Sequence, residues 1–420
     1  MPKYLKFLSD WNRWGKTQID AGIKREGYLD QLKTLTALEE IVGICGVRRC
    51  GKTTLLLQLI ERLHHDQQVP LVNMLYINFE DPRLGNSLSA LELFSILEEY
   101  KLEIKPKGKI YLFLDEIQVV EDWEKFVRTI YDQQQNVKIF VTGSNSSVFN
   151  RSLSTLLSGR MVIFQVYPLD FSEFVEFKSN KGDFDKLLRE YLTFGGFPKV
   201  VLEPDEVSKR KLLISYYSSI LEQDVILKNG IKKQTTLKQL AKFVLSNISK
   251  QTSSYSLSKI LKIANQHVSR YLEFLEDAYL IHRVPKFAYS VKKQIYNPDK
   301  IYCVDLGLVN TAGFAFSDNF GRLLENLVYQ KLRRQDNELY YWQNGSEVDL
   351  LIKSGIEVKK LINVTTTVDD ASVWQREIKS LETASVEFPK AQTQLIYLNN
   401  QSNKQDSRLL SLEQFLAEAD

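Results

Sequence analysis

The segment Gly46-Val47-Arg48-Arg49-Cys50-Gly51-Lys52-Thr53 lies between an apolar run, Ile41–Gly46, and a stretch with leucines at helical spacing. It satisfies the pattern GxxxxGK[ST] without a mismatch. Glycines at those positions let backbone N–H groups turn inward around phosphates. Lys52 is then the cation that reaches the β- and γ-phosphates, and the Thr53 hydroxyl is a ligand for magnesium. Leu56, Leu59, Ile60 and Leu63 recur at i, i+3, i+4 and i+7, so a helix starts here and aims its positive end at the same anion. Residues Gly46 to Thr53, with Thr54 behind them, are the candidate nucleotide-binding set.

Outward from this loop, strand-like and helical stretches alternate. The expected strands are Ile41–Gly46, Met74–Glu80, Lys109–Glu116, Val137–Ser144 and Met161–Val166. Such alternation means a parallel sheet covered on both faces. The run Ile110-Tyr111-Leu112-Phe113-Leu114 is continuously apolar, as a central parallel strand should be. It ends in Asp115 and Glu116. An acid at that place holds magnesium, directly or through water, and the next one can polarise an attacking water as general base. The strand Met74–Glu80 stands between the loop strand and the carboxylate strand in the chain.

Together these features resemble a large, poorly characterised prokaryotic family of AAA+-type ATPases with an appended C-terminal domain. The matching runs include Asn78-Phe79-Glu80-Asp81-Pro82-Arg83, Thr142-Gly143-Ser144-Asn145, Ser158-Gly159-Arg160 and Gly195-Gly196-Phe197-Pro198. Further matches are Pro168-Leu169-Asp170-Phe171 with Glu173, Tyr271–Leu280, Glu325-Asn326 and Glu347-Val348-Asp349. The likeness runs from about Gly27 to Ala384. It implies an α/β P-loop sheet of order 5-1-4-3-2 in residues 21–167 after an extension, 1–20. A helical lid (168–230), a winged-helix-like segment (231–298) and a restriction-endonuclease-like α/β module (299–420) would follow. ATP and magnesium are the implied cofactors, and a homo-oligomer the implied assembly. On the AAA+ plan, Ser144 or Asn145 would sense the γ-phosphate. Arg160 would be either an arginine that reaches a neighbour's nucleotide or a charge at a helix end, with Arg151 as the fallback.

Ser256–Leu280 reads as two helices joined near Ala264–Gln266, with Val268, Tyr271, Leu272 and Leu275 on one face. Arg283, Lys286, Lys292 and Lys293 follow on expected wing strands, which points to double-stranded DNA as a partner of residues 256–293. Glu273, Glu276 and Asp277 on the second helix oppose that reading, because acids repel phosphate. In the last module, Glu325 and Asp349 fit two of the carboxylates an endonuclease needs for its metal. Glu357-Val358-Lys359 reads as the third element, ExK, yet the family's usual frame falls on Asn363-Val364-Thr365, where both charges are missing. One residue of hairpin register separates the readings, since a slip flips every side chain. An inactive scaffold is the alternative to a nuclease.

The 420 residues are 44% hydrophobic and 25% charged, with a net charge of +3, so nucleic-acid binding would need a local patch. Cys45, Cys50 and Cys303 lack CxxC spacing, which excludes a thiolate zinc site and a disulfide scaffold and fits a cytoplasmic chain. The four histidines, His64, His65, His267 and His282, form no metal-binding pattern. No apolar run approaches the roughly 18 residues of a membrane span, and the N-terminus has no signal-peptide core. Three functions remain: an ATPase driving a DNA transaction, an ATP-dependent switch or scaffold for protein assembly, and an ATP-gated nuclease.

Overall fold

The computed structural model describes residues 3–12, 14, 21–85, 88–133, 136–153, 156–179, 182–312, 320–398 and 405–418. The chain divides into two units, Met1–Val166 and Tyr167–Asp420. In the first, β1 (Ile41–Cys45), β2 (Met74–Asn78), β3 (Ile110–Asp115), β4 (Val137–Gly143) and β5 (Met161–Gln165) form one sheet. All its pairings are parallel and its order is β2-β3-β4-β1-β5, the expected 5-1-4-3-2 read from the other edge. Every residue of β1 and β3 is buried, as strands covered on both faces require. Phe113 and Phe140 stack between neighbouring strands, centroids 5.1 Å apart. Register sets Cys45 beside Gly143 and Asn78 beside Asp115, so the strand ends that carry the motifs lie along one edge. That edge is where open α/β sheets bind ligands. At the opposite end of β4, the buried Lys138 donates to the carbonyls of Leu38 (2.9 Å) and Glu40 (2.6 Å).

The second unit opens with helices, among them Phe171–Phe177, Phe184–Phe194 and Glu206–Ser219. The Gly195-Gly196-Phe197-Pro198 run has a physical cause. A Cβ on Gly195 (φ +71°) would strike the Asp305 carboxylate, and one on Gly196 would strike the Leu169 carbonyl. Asp305 accepts from the Gly196 N–H at 2.7 Å and the Leu308 N–H at 3.2 Å. Its burial pushes its carboxyl up to about 7. Next come the helices Gln234–Ser246, Ser254–Leu261 and Asn265–Asp277 with a small antiparallel sheet. Its strands are β6 (Gln251–Thr252), β7 (Ile281–Val284) and β8 (Asp299–Cys303), in the order β6-β8-β7.

A second five-stranded sheet follows: β9 (Glu338–Asn344), β10 (Ser346–Ser354), β11 (Glu357–Thr365), β12 (Gln392–Tyr397) and β13 (Leu409–Ser411). Its order is β13-β12-β11-β10-β9, antiparallel from β9 to β11 and parallel beyond. Val348, Leu351, Leu361, Leu381 and Leu395 form its core against the helix Ala371–Glu387.

Two expectations are corrected. Lys292 and Lys293 lie on a short helix, Val291–Tyr296, between β7 and β8 rather than on wing strands. Residues 299–303, assigned from sequence to the last module, pair as β8 with β6 and β7, because the antiparallel partner of β7 comes only after that helix. No helix among the described residues is long and apolar enough to cross a membrane.

His282 on β7 is buried between the rings of Tyr167 and Tyr329, at 6.4 and 6.0 Å. Neither ring nitrogen has a hydrogen-bond partner among the described residues. Burial, helped by the charge of Arg333, lowers its pKa to about 3. Between that value and the ordinary ~6.5 the unfolded chain holds the proton and the folded chain does not, so His282 erodes stability as pH falls through this window. His282→Phe should therefore gain about 2 kcal/mol relative to wild type between pH 7 and pH 5. Urea midpoints across that range check this, and a pH-independent difference would contradict it.

Candidate nucleotide site and C-terminal carboxylate cluster

The phosphate loop leaves β1 and enters the helix Lys52–Gln67. Its backbone passes through positive φ at Gly46 (+148°), Arg49 (+73°) and Gly51 (+104°). Gly46 has a second constraint, since a Cβ there would collide with the Val166 carbonyl. Val47 and Cys50 are buried, Arg48 is partly exposed and pairs with Glu80 (3.1 Å), and Arg49 and Thr54 are exposed. The Lys52 ammonium lies across the loop. It donates to the carbonyls of Gly46 (3.0 Å) and Val47 (3.3 Å) and sits 3.7 Å from Glu116. Arg25, which no motif marks, donates to the Cys50 carbonyl at 3.2 Å and braces the loop from the preceding segment.

Asp115 receives three hydroxyls: Thr53 at 2.7 Å, Tyr76 at 2.8 Å and Thr142 at 2.6 Å. Burial raises its carboxyl, while the Thr142, Thr53 and Tyr76 hydrogen bonds oppose the rise. Thr53 and Asp115 thus stand together as hard oxygen donors, the chemistry magnesium takes. Glu116 has a left-handed backbone (φ +56°) fixed by its N–H donating to Thr142 Oγ1 at 2.8 Å. Its carboxylate accepts from the Gln118 amide at 2.5 Å. Burial alone would raise Glu116, but Lys52, the Gln118 amide and Arg48 outweigh it and hold the carboxyl below its ordinary value. Glu116 is therefore ionised at neutral pH, as a base must be.

Ser144 and Asn145 are both buried at the end of β4. The Asn145 side-chain oxygen accepts from the Ser147 N–H (3.0 Å) and hydroxyl (2.7 Å), capping the helix Ser146–Leu153. Arg160 is tied to Asp132 of its own chain at 2.9 Å, and Arg128 shares that aspartate at 3.2 Å. The Arg151 side chain lies outside the described residues.

In the second unit, Glu325 and Asp349 do come together, and sequence reasoning missed what joins them. Lys300 on β8 is buried with its ammonium 3.1 Å from Glu325, 2.6 Å from Glu347 and 3.0 Å from Asp349. Those three carboxylates hold Lys300 well above its ordinary value against the opposing effect of burial. The Asn363 side-chain oxygen accepts from the Asp349 N–H (3.1 Å), and its amide donates to Glu377 and Ser380 at 2.7 Å each. Thr365 follows on the same strand. Glu357 and Lys359 instead occupy the far end of the β10–β11 hairpin, where Glu357 faces Ser354. They are exposed and bonded to each other at 2.6 Å, so the ExK pair is not part of the cluster. A register shift between Ile352 and Lys353 lies between the two places.

Residues 38–175 match a sequence family described as an AAA domain. Residues 185–319 and 320–414 match two further families, each a domain of unknown function. An uncharacterized protein of Methanocaldococcus jannaschii is 36% identical over 365 residues, covering 82% of this chain and 78% of that one. One from Haemophilus influenzae is 33% identical over 347 residues, covering 80% and 86%. The chain belongs to this AAA-domain family. Among solved structures, C. elegans PCH-2 aligns with 60% of this chain and 66% of its own, at 18% identity and a TM-score of 0.25. The S. cerevisiae Hsp104–ADP complex aligns with 64% of this chain and 41% of its own, at 18% identity and a TM-score of 0.32. The phosphate loop, Asp115, Glu116 and Ser144–Asn145 all fall inside the AAA-domain match.

In this AAA-domain protein Lys52→Ala removes the one buried ammonium of the loop. ATP affinity should fall roughly tenfold to a hundredfold, the range of a charge-assisted bond, with the circular dichroism spectrum unchanged. Titration with a fluorescent ATP analogue measures it, and wild-type affinity would refute the assignment.

Proposed function

We propose that the protein is a Mg-ATP-dependent AAA-type ATPase that couples ATP binding and hydrolysis to a DNA transaction. The loop N–H groups from Val47 to Thr54 cradle the phosphates, and Lys52 exchanges its carbonyl and Glu116 contacts for phosphate oxygens. Thr53 and Asp115 would hold magnesium, which would neutralise charge on the phosphates. Glu116, released from Lys52, takes up the proton of the attacking water, and Ser144 or Asn145 contacts the γ-phosphate. A homo-oligomer is part of this reading. Arg160 lies in a turn beyond the helix Ser146–Leu153, with its Nε bound to Asp132 of its own chain.

The DNA reading rests on one observation, the uneven charge of the helix Asn265–Asp277. Its first half exposes Asn265, Gln266, His267 and Arg270, the end from which such helices read base edges. Of the acids that opposed DNA contact, Glu276 is bound to Arg283 at 2.8 Å and only Glu273 is fully exposed. The element order around it, helix–β6–helix–helix–β7–helix–β8, supports a winged-helix-like reading in which a short helix stands between β7 and β8. The short helix between β7 and β8 exposes Lys292, Lys293 and Tyr296, with Tyr289 exposed just before it. The exposed Val291 and Ile295 on the same short helix favour a second reading, an ATP-dependent switch or scaffold that grips a protein. A nuclease gated by ATP has less support, since Glu357 and Lys359 stand apart from Asp349.

Steady-state ATP hydrolysis with and without duplex DNA over a salt series separates these readings. Stimulation that fades steeply with salt is expected, and indifference to DNA favours the protein switch. Replacing Lys292 and Lys293 together by glutamate should weaken the stimulation and flatten the salt slope by about two units, leaving the DNA-free rate unchanged. For the chemistry, Glu116→Gln should bind Mg-ATP as wild type does and hydrolyse it about 10²–10⁴-fold more slowly. Near-normal turnover would remove Glu116 from the base role.

A further inference from the structure

The resemblance to endonucleases implies a divalent metal held by Glu325 and Asp349, and the residues gathered there do not fit one. We propose that the Lys300 ammonium is the resident cation of this cluster and makes it a metal-free clasp between the β6-β8-β7 sheet and the β9–β13 sheet. An ammonium carries three protons and no acceptor. Here it donates to Glu325 at 3.1 Å and to Asp349 at 3.0 Å and forms an ion pair with Glu347 at 2.6 Å, and the lysine is 1% exposed. The carboxylates are held in turn. Tyr302 donates to Glu325 at 2.7 Å, Gln251 to Glu347 at 2.9 Å, and the Val364 N–H to Asp349 at 3.0 Å. A divalent ion at the centre would have to evict a buried cation or sit against it, and neither is favourable in a low-dielectric interior.

The sequence around the cluster agrees. Asn363 stands beside Asp349 where a nuclease of this frame would carry a further carboxylate, and its amide is already spent on Glu377 and Ser380. Among the described residues no group of three or more His, Cys, Asp or Glu is arranged to hold a metal. The partners of the clasp come from different elements: Gln251 on β6, Lys300 and Tyr302 on β8, Glu325 on the helix Phe320–Arg334, and Glu347 and Asp349 on β10. The carboxylates thus join two sheets instead of binding a catalytic ion. This inference is independent of the ATPase and DNA readings.

Manganese binding by the full-length, nucleotide-free protein tests it, read by the electron paramagnetic resonance signal of free Mn²⁺. Wild type and Asp349→Asn should bind Mn²⁺ alike, and any shift of the melting temperature by EDTA or Mn²⁺ should be the same in both. Lys300→Met should gain one site at least tenfold tighter than any in wild type, retained when Thr53→Ala is added and lost when Asp349→Asn is added. Wild-type Mn²⁺ binding that disappears in Asp349→Asn would overturn the proposal, as would a folded Lys300→Met that gains no site. Should Lys300→Met fail to fold, the wild-type and Asp349→Asn comparison decides alone.

Discussion

One buried carboxylate ties the nucleotide edge together. Asp115 ends β3 and takes hydroxyls from Thr53 on the loop helix, Tyr76 on β2 and Thr142 on β4. Hydrogen bonds to a charged acceptor contribute about 1.5–3 kcal/mol each, whereas a buried carboxylate left bare costs several. The three donors therefore oppose the rise that burial gives its pKa, and they fix the ends of three elements relative to the loop. Thr53 and Tyr76 share Oδ2, while Thr142 alone binds Oδ1. Thr53 can consequently turn to a metal without releasing the carboxylate, because Tyr76 and Thr142 continue to hold it.

The same arrangement explains what was legible in the sequence. The phosphate loop is readable because its constraint is local: Gly46 and Gly51 meet positive φ within one short segment. Asp115 is readable because it ends a continuous apolar strand. Tyr76 and Thr142 carry no local signal, since their role arises from parallel register between strands distant in the chain. Lys300 is a stronger instance, being 25 residues from Glu325 and 49 from Asp349. The Glu357–Lys359 reading failed for a related reason. Pairing across the β10–β11 hairpin decides which residues meet Asp349, and a register shift within a hairpin leaves no compositional trace.

Basic residues misled in a different way. Lys292 and Lys293 suggested strands because wings are strands, yet Val291–Tyr296 closes a helical turn that leaves Val291, Ile295 and Tyr296 exposed. Charge gives the chemistry of a surface without its backbone conformation.

Each unit buries a lysine near acidic side chains, one in the first and three in the second, and the difference between the two bears on what each can do. The contacts of Lys52 include two carbonyl oxygens and one carboxylate at 3.7 Å, beyond hydrogen-bond length. Phosphate oxygens offer such an ammonium charged acceptors in exchange for neutral ones, so its present partners are ones it can leave. Lys300 already has three carboxyl acceptors within 3.1 Å, each fixed by a further donor. Nothing a ligand could bring improves on them. The same residue type is thus exchangeable in the first unit and permanent in the second, and the acceptors around it, rather than the lysine itself, set which.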